Sequence, residues 1–83
     1  MTQSLHHTTD PRVLKNREYF QRIVDAEGSQ ERAAAKIGVS QAALSRWVLR
    51  GWCSPKRAKQ IEELWGVPRR YLVHPDVVDA LFN

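Results

Sequence analysis

Gln41, Ala42, Ser45 and Arg46 stand at spacings of one, three and four. On a helix such residues share one side. That side would carry an amide, a methyl, a hydroxyl and a guanidinium. A glutamine amide can pair in two places with adenine N6 and N7, and an arginine with guanine O6 and N7. A serine hydroxyl serves either kind of base edge, and an alanine methyl can touch the methyl of thymine. This is the chemistry of recognition, with no bond made or broken. The chain offers little for catalysis: no carboxylate pair with plausible convergence, no phosphate loop and no Ser/His/Asp set. His74 lies outside the first nine residues but precedes a proline in an expected turn. The expectation is a binding protein and not an enzyme, with no cofactor and no metal.

The elements that must position these residues are legible from Gln30 to Leu49, which reads as two short helices folded across a tight turn. Gly38 is the hinge, because the turn needs a residue at ease with positive φ. Ala34, four residues earlier, keeps the crossing close. Ala33 with Ile37 (i,i+4), Val39, and Leu44 with Trp47 (i,i+3) supply the buried faces. Ser29 and Ser40 are placed to cap the two helices. The pattern is that of a helix-turn-helix, whose second helix enters the major groove of DNA. Gln41, at the start of that helix, would come nearest the base edges.

Charge points the same way. The formal net charge is +4, and no acid stands between Glu31 and Glu62. That interval holds seven cations: Arg32, Lys36, Arg46, Arg50, Lys56, Arg57 and Lys59. An acid-free run centred on the turn is the footprint expected for a polyanion. Lys36, Arg50, Lys56 and Arg57 are the phosphate candidates, and Ser40 is counted with them. Lys56 and Arg57 sit at a helix N-terminus, where the macrodipole disfavours positive charge and a nearby phosphate would relieve the conflict.

With 83 residues the chain is expected to form one small domain over residues 10–83, with residues 1–9 a flexible tail. His6 and His7 lie in that tail without a third ligand and are not read as a metal site. Asp10-Pro11 should start a helix running to about Ala26, with Leu14, Tyr19, Phe20, Ile23 and Val24 as its apolar residues and Gly28 as its end. Gly51 should stop the recognition helix. Ser54-Pro55 should open another, carrying Ala58, Ile61, Leu64 and Trp65 inward and ending at Gly66. Residues 68–72 fit one more helical turn, and Val77, Val78, Leu81 and Phe82 an amphipathic helix or an extended strand. Trp52 is expected to pack under its loop, the alternative being a contact with the DNA backbone. Cys53, the lone cysteine, is expected to be a small packing residue, with Arg50 lowering its pKa somewhat. The fold class is all-α: four or five short helices around Phe20, Ile23, Ile37, Leu44, Trp47, Ile61 and Leu64. No apolar run approaches the roughly 20 residues of a membrane span. With no hydrophobic leader at the start, a cytoplasmic location is expected.

At these residues the chain resembles the Cro and repressor family of phage regulators, with their lambda-repressor-like fold. It is also similar to the small Cro-like proteins grouped with YdaS-type antitoxins. In those, a similar turn is followed by a proline-started helix and a Leu-x-x-Pro-Asp-like tail. Here the matching pieces are Ser54-Pro55-Lys56-Arg57 and Leu72-Val73-His74-Pro75-Asp76, and the likeness covers roughly residues 18–78. The resemblance implies that Gln41, Ala42, Ser45 and Arg46 read bases, and that Gln30 contacts a phosphate and braces the recognition helix. It implies a repressor that binds a pseudo-palindromic operator as a homodimer, with recognition helices about 34 Å apart. The apolar segment Tyr71–Phe82 is the expected dimer surface. The alternative is an antitoxin-type module that grips a toxin through the same segment and regulates its own operon.

Overall fold

The computed structural model describes residues 10–82. The expectations for residues 1–9, including His6 and His7, lie outside the described residues. The elements are α1 (Pro11–Glu27), α2 (Gln30–Ile37), α3 (Gln41–Arg50), α4 (Pro55–Trp65), a 3-10 turn (Arg69–Tyr71) and α5 (Pro75–Phe82). No strand occurs among the described residues. The fold is the small all-α bundle that the sequence predicts.

Local chemistry sets the boundaries. Asp10 accepts from the Arg12 N–H (2.8 Å), Ser29 from Arg32 (3.1 Å), Ser40 from Ala43 (3.1 Å) and Ser54 from Arg57 (3.3 Å). Each cap satisfies an amide that the first helical turn leaves free, worth about 1 kcal/mol. Gly28, Gly38, Gly51 and Gly66 end the four helices in the left-handed conformation.

Phe20, Ile37, Leu44, Ile61 and Leu72 are fully buried, joined by Ile23, Val24, Ala33, Ala34, Trp47 and Ala58. Leu64, expected to face inward, does not, and Leu14, an apolar residue of α1 assigned to no inward stripe, joins it outside. Leu14 is 43% exposed and Leu64 37% exposed. Both stand six residues from a buried anchor, Phe20 and Ala58. Six residues at about 100° each land roughly 120° away on the helix, whereas seven return to within about 20°. Val13 and Trp65 occupy the seven-residue positions. Val13 is buried and Trp65 packs on the core half-buried.

Asn16 also lies on the inward stripe of α1 and is buried. Its Nδ2 donates to the Val73 carbonyl (2.9 Å). The neighbouring Leu72 carbonyl accepts from Cys53 twice, from N (2.9 Å) and Sγ (3.4 Å). The stretch after the 3-10 turn is thus strapped to α1 and to the connector that follows α3. The segment 75–82 resolves to helix. Arg12 ties it to α1 through Asp79 (2.9 Å), and the His74 Nδ1 accepts from the Asp76 N–H (3.1 Å) at its start.

Gly51 does more than end α3. A Cβ there would stand 2.6 Å from the Val13 carbonyl oxygen and 3.0 Å from Arg17 Cγ, whereas a Cβ at Gly38 would meet nothing within 4 Å. Gly38→Ala is therefore expected to cost only the left-handed backbone penalty of about 1–2 kcal/mol. Gly51→Ala adds a backbone collision and is expected to cost about 3 kcal/mol or more. Urea titrations of the two variants check the order. Asn16→Ala, which orphans the Val73 carbonyl, is expected to cost about 1–3 kcal/mol in the same assay.

Candidate nucleic-acid interface

Helix α3 packs on α1 and α2. Leu44 and Trp47 face inward and are buried. The opposite side exposes Gln41, Ala42 and Arg46 to solvent, while Ser45 lies half-buried on the shoulder. Leu49 continues this side, 66% exposed. Gln41 and Arg46 make no side-chain hydrogen bond or ion pair among the described residues. Ser40 accepts from Ala43 at its oxygen. Its hydroxyl proton stays available to an acceptor, and in a phosphate that acceptor is an oxygen.

The candidate phosphate residues divide into free and committed groups. Lys56 is exposed on the first turn of α4 with no ion pair among the described residues. Gln30 is half-buried at the first position of α2. Arg50 lies over the Trp52 ring (5.0 Å) and its Nε donates to the Trp52 carbonyl (2.9 Å). Trp52 is half-buried and meets His74 edge to face at 4.7 Å, so it packs on the stretch after the 3-10 turn rather than under its own loop. Lys36 pairs with Glu27 (3.2 Å) and lies over the Trp65 ring (5.4 Å), which commits it to a contact inside the fold. Of the seven cations in the acid-free run, Lys36 alone has an ion pair among the described residues.

Arg57 is half-buried, and its Nη1 donates to Gln60 Oε1 (2.9 Å). Gln60 in turn donates through Nε2 to the Ile37 carbonyl at the end of α2. Gln60 does not emerge from the sequence reading. The only signal is its place three residues after Arg57; its second partner is 23 residues away. Cys53 departs from expectation in one respect. Burial pushes its thiol up to about 12, outweighing the opposite pull of Arg50 and Arg57. It is a packing residue and no nucleophile.

The acids nearest the fold's own cations are paired with them. Glu27 accepts from Trp65 Nε1 (3.1 Å) as well as from Lys36, and these bonds, the indole first, hold its carboxyl below the ordinary 4.5. A depressed carboxylate contributes stability above its unfolded pKa and loses it as pH falls through the folded value. Thermal melts taken downward from pH 6 are expected to show this loss below about pH 4.5, and Glu27→Gln should flatten that part of the profile.

A second surface lies between α4, the 3-10 turn and α5. It is an open, largely apolar groove of about 370 Å³ bounded by Pro55, Pro68, Val73, Val77, Val78 and Leu81, with Glu62, Arg69 and Arg70 also on its walls. Leu72, Val73 and Pro75 are themselves buried, so the core absorbs part of the segment expected to form a dimer surface. Leu81 is not absorbed and stays 69% exposed. No helix among the described residues is long and apolar enough to cross a membrane.

Compared with known families, residues 20–80 match the family described as "Bacterial toxin YdaS". No curated protein and no solved structure matches the chain.

Proposed function

From the premise that the chain belongs to the YdaS family, a Cro-like helix-turn-helix group, we propose that it is a sequence-specific DNA-binding regulator. In this reading it acts in the bacterial cytoplasm and performs no catalysis. The observation that supports this most directly is the two-sided character of α3. Leu44 and Trp47 are buried, while Gln41 and Arg46 are exposed and unpartnered among the described residues. Gln41, Ala42, Ser45 and Arg46 read base edges in the major groove. Gln30, Ser40, Arg50, Lys56 and Arg57 hold phosphates. Repression follows by occluding a promoter, without chemistry.

The apolar groove favours a second reading that is compatible with the first. A face carrying Val77, Val78 and an exposed Leu81 suits a protein partner. In a homodimer the partner is a second copy, and the operator is then pseudo-palindromic. The family description names a toxin, so the partner can also be the other member of a toxin–antitoxin pair. Sedimentation separates these: Leu81→Asp is expected to reduce self-association, and unchanged association removes the dimer role of this face.

The DNA reading is tested on an operator selected from random duplexes. Arg46→Ala is expected to lose roughly 1–3 kcal/mol on that operator and to relax the preference at one base pair. Lys56→Ala should weaken binding to all duplexes alike and lower the salt slope by about one. If Arg46→Ala binds both the operator and random DNA as tightly as wild type does, the assignment of the reading face is refuted.

A further inference from the structure

Arg57 is half-buried, yet no carboxylate pairs with it among the described residues. Its hydrogen-bonded partner, the Gln60 amide oxygen, is neutral. A guanidinium has five donors, so Arg57 keeps N–H groups free for a phosphate while one is held by Gln60. The other end of the same amide reaches the helix-turn-helix. Ile37 is the last residue of α2, directly before Gly38. The Gly38 and Val39 N–H groups both go to the Ala34 carbonyl (2.8 and 3.0 Å), closing α2, and the Ile37 carbonyl accepts from Gln60.

Both neighbours dictate how the Gln60 amide points. A carbonyl needs a donor and a guanidinium needs an acceptor, so a flipped amide would oppose like groups at both ends. We infer that Gln60 is a positioning residue for DNA binding. It aims Arg57 at a backbone phosphate and couples that grip to the turn that orients α3. The chain of contacts runs from guanidinium to amide to the final carbonyl of α2, and it joins α4 to the reading unit. This inference rests on the DNA-binding reading above.

The test needs no operator, because phosphate contacts do not depend on sequence. Wild type, Gln60→Met, Arg57→Ala and the double variant are titrated with a random-sequence duplex over a range of salt. Gln60→Met keeps the side-chain length and removes both hydrogen bonds. It is expected to reduce the slope of log affinity against log salt by about one, the same loss as Arg57→Ala. In the Arg57→Ala background the Gln60 substitution should then change neither slope nor affinity. A role in folding alone would leave the slope intact, or would add its full effect to that of Arg57→Ala, and either result overturns the inference. Gln60→Asn, one methylene shorter, cannot span both neighbours and preserves a polar group should Gln60→Met fail to fold. It must show the same slope loss, and an unchanged slope overturns the proposal equally. Wild type that binds no duplex overturns the DNA reading itself, and wild type that binds while the Gln60 variants keep its slope overturns this inference alone.

Discussion

The closest backbone approach that a glycine permits in this fold, Gly51 against the Val13 carbonyl, governs how α3 is held. It seats the C-terminal end of α3 on the first turns of α1. The other end is held by the turn at Gly38 and the Ser40 cap. Between the two ends Leu44 and Trp47 are buried, each contributing roughly 1.5–3 kcal/mol of apolar transfer energy. A helix fixed at both ends and along one side can present the remaining side in a defined orientation. Reading base edges demands that rigidity, since a bidentate hydrogen bond tolerates little angular error.

The rest of the chain extends the same support outward. Cys53 and Asn16 pin Leu72 and Val73, so the connector after α3 and the 3-10 turn are held together by hydrogen bonds within the core. Four of the acids pair within the fold. Glu27 meets Lys36 and Trp65, Glu62 meets Arg69, and Asp10 and Asp79 meet Arg12. That arrangement leaves Arg46, Lys56 and Lys59 without ion pairs among the described residues. Segregation of this kind concentrates positive potential where a polyanion can use it.

Local chemistry was readable in the sequence because its signals are local. Asp10, Ser29, Ser40 and Ser54 start helices, glycines end them, and Leu44 and Trp47 mark the inner side of α3, which leaves Gln41 and Arg46 outward. Spacing alone misplaces Leu64, which sits six residues from the buried Ala58 and turns away from the core. Contacts between distant segments left no trace. Asn16 is a poor helix former in mid-helix, and its purpose appears only with the Val73 carbonyl beside it. Lys36 reads as one more cation until Glu27 and Trp65 are placed against it. Gln60 is an ordinary polar residue until the end of α2 arrives above it.

The most direct measurement is amide chemical-shift mapping of the labelled chain as a random-sequence duplex is added. Shifts are expected to concentrate on residues 40–46, with Gln30 and the first turn of α4 following and the buried positions of α1 largely still. A silent α3, with the largest shifts instead around Val77 and Leu81, would contradict a groove-reading helix and place the binding surface elsewhere.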